Sequence, residues 1–346
     1  MTALSVAFES QAKACSSLGS PFMARFCRLM AARLDEGDPV SDRLLGWTGR
    51  IDASGQSVPL RIAGALHALV LDGSDPDLAA VYPPHDADDD RLWAAISAAF
   101  TRHQARLMAW LDSAPQTNEV RRAAAMIHAA CLLRERYDLP LSVSELGASA
   151  GLNLSFDAFR LETPDGPRGA PGSRVVLRPD WDGPAPPRRP VEIADRAGID
   201  LNPLDPGTPE GRLRLLAYLW PDQPERLALT SAAIDLAQTR PDRGDAAPWL
   251  ESRLAETRAG RLHLVYHTIA WQYFPAESQA RCNAALEAAG KRARPDAPVA
   301  HLSMEADGTP GSAALTLRTW DGRPGGGVSQ VLGRIDYHGR FLRLAG

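Results

Sequence analysis

The sequence predicts an α/β protein: a mostly parallel sheet with helices on both faces, closed by a C-terminal antiparallel hairpin and preceded by an all-helical N-terminal domain. Three observations carry this. From Leu141 onward strand and helix patterns alternate, the order that builds a parallel sheet. Leu262-His-Leu-Val-Tyr-His267 runs on into Thr268-Ile-Ala, a near-continuous apolar stretch suited to a strand buried on both faces. Ala313–Trp320 and Val328–Tyr337 instead alternate with period two around the glycines at 325–327, a hairpin signal.

In chain order, residues 1–138 keep helical spacing. Phe22, Phe26, Leu29 and Met30 share one face of a segment that begins after Ser20-Pro21. Leu66, Leu69 and Val70 belong to another from Ile62 to Leu71. Leu92, Trp93, Ile96, Phe100, Leu107, Trp110 and Leu111 predict one long helix from about Asp89 to Leu111. Val120, Ala124, Ile127, Cys131 and Leu132 predict a further helix capped by Asn118. This domain reads either as a packed cap or as a substrate-selecting lid.

The second domain, 139–346, opens with a strand at Leu141, Val143 and Leu146, a glycine turn, and a helix period at Leu152, Leu154, Phe156 and Phe159. Proline and glycine crowd Thr163–Pro190, which reads as an insertion with a short strand at Arg174–Leu177. Gly198-Ile-Asp-Leu-Asn-Pro203 is a strand end with Asp200 at its tip. Two helices follow, about Pro209–Trp220 and Gln223–Gln238. Gly244-Asp245-Ala246 is then a second strand-to-helix transition. A helix from about Glu277 to Lys291 precedes the strand Pro298–Glu305, and Arg340–Leu344 adds strand at the end.

Composition narrows the function classes. A chain of 346 residues with a net charge of −4 has no polyanion-binding surface written into it, so nucleic acid is not an expected partner. Four cysteines, Cys15, Cys27, Cys131 and Cys282, stand far apart. They form neither a zinc cluster nor a disulfide framework, and they fit a reducing cytoplasm. No signal peptide and no bilayer-length apolar run is expected. His67, His103 and His128 lack metal-ligand spacing, so no metal is expected.

The turn Glu145-Leu-Gly147-Ala-Ser149-Ala-Gly151 has three readings. It is a nucleotide-type loop with an acid at the strand end, a G-x-S-x-G elbow exposing a nucleophilic serine, or a tight turn that lets helix pack on strand. Asp200 reads as an acid that takes ribose hydroxyls or as an Asp making a turn. His267, Thr268, Trp271, Gln272 and Tyr273 fall where ligands bind in open α/β sheets, outside the strand C-termini.

Resemblance then joins these pieces. In order, Glu145-x-Gly147-x-x-x-Gly151, Gly198-Ile-Asp200-Leu-Asn-Pro203, Gly244-Asp245-Ala246 and Val265-Tyr-His-Thr268 resemble four parts of class I S-adenosylmethionine-dependent methyltransferases. Those parts are the glycine loop, ribose acid, adenine-side acid and catalytic-face strand of a Rossmann-like domain. This resemblance covers about residues 139–346. Gly-Ala-Ser-Ala-Gly-Leu-Asn and Asp-Leu-Asn-Pro-Leu-Asp more closely resemble the bacterial DUF2332 family, over most of the chain.

The methyltransferase resemblance implies S-adenosylmethionine as cofactor and a small-molecule acceptor. Glu145 and the Gly147–Gly151 backbone, Ser149 included, would hold the methionine part, with Asn153 supporting the loop. Asp200 would bind the ribose and Asp245 the adenine amino group. His267, Trp271 and Tyr273 would face the acceptor, with His267 also at the cofactor and the only base among them, and Tyr273 as a second catalytic group. Ser149 stands where the usual loop has its middle glycine. The stretch from Glu145 to Asp200 exceeds the usual spacing of about 20 residues, an excess the insertion absorbs. Two alternatives remain: a non-catalytic nucleotide- or partner-binding protein of the same fold, and a hydrolase using Ser149 with Asp245 and His301 or His338.

Overall fold

The computed structural model describes residues 2–52 and 55–345, and the chain divides into two compact units, 1–117 with 207–228 and 118–206 with 229–346. The expected boundary at 138 falls elsewhere: helix Ala123–Tyr137 belongs with the sheet, and helix Pro209–Ala217 belongs with the N-terminal helices.

The first unit is helical. Helices Ala3–Ser17, Pro21–Arg33 and Val58–Leu71 bury Phe8, Phe26, Met30, Ile62 and Leu66. Ser20 caps the second of these as its sequence suggests, its Oγ accepting the Met23 N–H at 3.2 Å with Pro21 in the first turn. The long helix expected from Asp89 to Leu111 is two, Asp89–Arg102 and Gln104–Leu111, because the backbone leaves helical geometry at His103. Gly64 explains why segment 207–228 packs here: a Cβ on it would lie 2.5 Å from the Tyr218 ring. His67 is structural. Its Nδ1 lies 3.1 Å from the Ala217 carbonyl, and burial lowers its pKa to about 4.

The second unit carries the strands. In chain order they are β1 (Leu141–Leu146), β2 (Arg160–Leu161), β3 (Arg168–Gly169), β4 (Val176–Leu177), β5 (Asp180–Asp182), β6 (Ile193–Asp200), β7 (Asp242–Arg243), β8 (Leu262–Thr268), β9 (Val299–Glu305), β10 (Ala313–Trp320), β11 (Ser329–Ile335) and β12 (Phe341–Leu344). Among the described residues, nine form one sheet in the order β5-β12-β11-β10-β9-β8-β1-β6-β7. The pairings from β7 through β6, β1 and β8 to β9 are all parallel. β9 to β12 then run antiparallel, so the expected hairpin is a longer meander. The proline-rich insertion reaches the sheet as well: β5 pairs parallel with β12, while β2, β3 and β4 make a small separate sheet.

Side chains alternate across β1, and both of its faces are buried. Leu146, Ile199 and Val265 pack against helices Ala246–Arg253 and Ala276–Arg292. Glu145 and Tyr266 point to the other face, where Phe156 meets Tyr266 edge-on at 6.1 Å. The segment after the glycine turn is a 3-10 turn, Leu152–Ala158, and not the expected α-helix. Asn118 does not cap the helix that follows it. Its Oδ1 accepts the Leu152 N–H at 2.9 Å and ties down the glycine turn. Among the described residues, no helix is long and apolar enough to cross a membrane.

Candidate functional site

The parallel strands end together at a crest, and the glycine turn lies at its centre. Gly147, Ser149 and Gly151 have φ of 70°, 53° and 73°, so every second residue is left-handed. Glycine takes that geometry freely, whereas a serine there is uncommon. The turn is closely packed. A Cβ on Gly147 would lie 2.6 Å from the Ala270 Cβ, and one on Gly151 would lie 3.0 Å from Pro241 and the Thr239 carbonyl. A Cβ on Gly198 in β6 would lie 2.9 Å from the Ala148 Cβ. These glycines let the protein's own chain approach.

Most of the turn's N–H groups are engaged inside the protein. Gly147 and Ala148 donate to the Ile199 carbonyl at 2.9 and 3.0 Å, and Gly151 donates to the Ala148 carbonyl at 2.7 Å. Ser149 N–H donates to Asp200 Oδ2 at 2.8 Å. The anion-cradle reading, which needs donors presented to a ligand at an α-helix N-terminus, loses its basis.

Asp200 is brought to the turn as the sequence expects. Its Oδ1 also accepts the Asn202 N–H at 2.9 Å. A carboxylate has about four acceptor sites, so this half-buried group keeps two in reserve. The Asp200 carbonyl accepts the Gly244 N–H at 3.0 Å, which sets the next acidic turn beside it. There Asp245 caps helix Ala246–Arg253 through the Ala247 N–H at 2.7 Å and accepts Ser278 Oγ–H at 2.9 Å. Its carboxylate therefore joins two helix starts. Leu201 and Tyr273 leave large apolar surface exposed at the strand ends, at 65% and 58%.

Glu145 and Asn153 lie beneath the turn. Glu145 is fully buried, with the Tyr266 hydroxyl 3.4 Å from its Oε2. Burial first, then the charge of Asp200, pushes its carboxyl well above the usual range and favours the neutral acid, against the Tyr266 hydrogen bond and Arg122. Asn153 Nδ2 donates to the Glu119 carbonyl at 3.2 Å. Both residues support the loop from inside, Glu145 with 2% of its surface exposed.

On the opposite face, β8 ends in a buried polar cluster. His267 Nδ1 lies 2.7 Å from Glu305 Oε1 at the end of β9. The same oxygen accepts the N–H groups of Ala270 and Trp271 at 3.0 and 3.1 Å. Trp271 stacks on the imidazole at 4.7 Å with 17° between planes, and His301 lies 5.0 Å away. Burial, with the charges of His267 and Arg318, lowers His301 well below the ordinary histidine value. Ile269 between them has φ 50°, an outlier for a β-branched residue. Strained backbone concentrates at functional sites, so the outlier directs attention here. Among the described residues, no group of three His, Cys, Asp or Glu side chains is placed to hold a metal ion.

The structure thus brings Gly147, Ser149, Gly151, Asp200 and Ala270 together, puts Asp245 next to Gly244, whose N–H reaches the Asp200 carbonyl, sets Trp271 on His267 and leaves Glu145 underneath. Ser149 Oγ is buried without a hydrogen-bond partner, so neither Asp245 nor a histidine activates it and the hydrolase triad is not assembled. Sequence reasoning missed Glu305 and Leu201. The available signal for Glu305 was its place as the last residue of a strand parallel to the His267 strand.

Fold and site define a doubly wound α/β protein whose candidate site lies at the carboxyl crest of its parallel strands. The chain belongs to the family described as "Uncharacterized protein conserved in bacteria (DUF2332)", which it matches over residues 5–343. No curated protein and no solved structure matched it.

Proposed function

We propose that this crest binds a nucleoside through Asp200, and that the ligand is S-adenosylmethionine used for methyl transfer to a small molecule. The observation that carries the reading is Asp200: a half-exposed carboxylate at the tip of β6, beside β1 in the parallel run β7-β6-β1-β8-β9, tied to the glycine turn yet retaining acceptor sites. Two ribose hydroxyls would use those sites.

The residues fit the adenosyl half of the cofactor. Tyr273 and Leu201 offer apolar surface for a base, and Asp245 lies one turn from Asp200. For the amino-acid half, Ser149 Oγ is the unpartnered polar group of the turn, while Glu145 stays with Tyr266 below it. The bound cofactor would supply an electrophilic methyl group. The chain's own part is positioning and exclusion of water, with Trp271 and Tyr273 on the acceptor side. The non-catalytic alternative, in its nucleotide-binding form, shares the Asp200 contact and lacks turnover; in its partner-binding form it lacks both.

Calorimetry with S-adenosylmethionine and S-adenosylhomocysteine, with NAD and ATP as controls, tests this. Selective binding of both adenosyl ligands is expected, weakened at least tenfold in Asp200→Asn, whose amide oxygen still accepts the Ser149 N–H. Equal binding of all four ligands, or none, would sink the assignment.

A further inference from the structure

The cluster behind Trp271 contains more unpaired polarity than packing requires. His267 Nε2, His301 Nε2 and Glu305 Oε2 are buried without hydrogen-bond partners, with His301 and Glu305 each beside His267. Buried polar atoms are nearly always paired, so three orphans in one place require a reason.

Glu305 determines which atom is available. A carboxylate oxygen accepts and does not donate, so the 2.7 Å contact places a proton on His267 Nδ1. In a neutral imidazole this leaves Nε2 with its lone pair. The two backbone donors from Ala270 and Trp271 hold the same Oε1 in place, and the Trp271 ring fixes the imidazole plane. A histidine oriented through Nδ1 by a carboxylate, with Nε2 unspent, is arranged to take a proton.

We propose that Glu305 is a positioning residue that holds His267 as the Nδ1–H tautomer, keeping Nε2 as the proton acceptor of this site. Resting on the methyl-transfer reading, this selects an acceptor that gives up an N–H or O–H proton. Its nitrogen or oxygen lone pair forms the bond to the methyl carbon. The electron pair of the broken carbon–sulfur bond stays on sulfur, and the acceptor's proton passes to Nε2. Nε2 is buried in the ligand-free chain, so the side chains around it have to shift as the acceptor enters. Catalytic contacts commonly tighten only in the complex.

Long-range proton–nitrogen NMR of the full chain near neutral pH reads the tautomer directly, with His267 assigned by loss of its signals in His267→Gln. Wild type is expected to carry the proton on Nδ1 and none on Nε2. Glu305→Gln keeps an accepting oxygen and should retain that tautomer, while Glu305→Ala should lose it. A proton on Nε2 in wild type would overturn the proposal, whether or not the alanine variant folds; so would an unchanged tautomer in a folded Glu305→Ala. Calorimetric silence toward S-adenosylhomocysteine beside an intact Nδ1–H signature would refute the methyl-transfer reading alone.

Discussion

The glycine turn and the histidine cluster end neighbouring parallel strands, yet they treat their polar groups in opposite ways. In the turn, Ile199, Asp200, Ala148 and Asn118 take up the N–H groups of Gly147, Ala148, Ser149, Gly151 and Leu152. In the cluster, one oxygen of Glu305 serves three donors while three buried atoms nearby are left with none. A motif that looks chemical in sequence can thus be largely architectural. The neighbouring strand end, also a candidate in sequence, holds the unspent polarity that chemistry requires.

The contrast can be broken first at Gly147. Gly147→Ala puts a Cβ 2.6 Å from Ala270 in a left-handed residue, and it should destabilise the fold by about 2–4 kcal/mol in urea unfolding. A loss near zero would mean the turn is looser than its packing. Acid comes next. Burial lowers His67 and His128 to about 4, and burial with Arg253 and Arg258 lowers His263 to about 3. Below about 6.5 the unfolded chain binds protons that the folded chain refuses, so the urea midpoint should fall steadily from pH 6.5 toward pH 4.

Glu145 carries the opposite sign. Its folded carboxyl keeps a proton that the unfolded chain releases above about 4.3, so it lowers stability as pH rises beyond that value. Glu145→Gln should therefore be more stable than wild type at pH 7 and equal to it near pH 4. An advantage that persisted at pH 4 would point to packing instead of ionisation. The smallest effect belongs to the exposed rim. Tyr273→Ala should change stability by less than about 0.5 kcal/mol and weaken adenosyl-ligand binding. A stability loss without an affinity loss would move Tyr273 from the site to the scaffold.

Much of the fold was legible in the residues. The apolar run at Leu262–Thr268 is a central parallel strand, and the alternation at Ala313–Trp320 is an antiparallel one. Both follow from periodicity, a local property of the chain. The joining of the turn and Asp200 was also readable, because a strand end that carries an acid returns beside the turn in a parallel sheet. What failed locally failed for nonlocal reasons. His103, whose Nε2 lies 3.0 Å from Asp75 Oδ2, divides one apolar stripe into two helices, and Asn118 turns from capping to bracing Leu152 across 34 residues.

The sequence by itself determined the class of fold, the strand ends and the residue types gathered at them, since burial pattern and turn chemistry are written along the chain. Only the tertiary structure decided which polar groups are already used. Hydrogen-bond capacity is spent between distant residues: Asp200 on Ser149, Tyr266 beside Glu145, Glu305 on His267. Availability for chemistry is what remains after that pairing, and no local pattern encodes it.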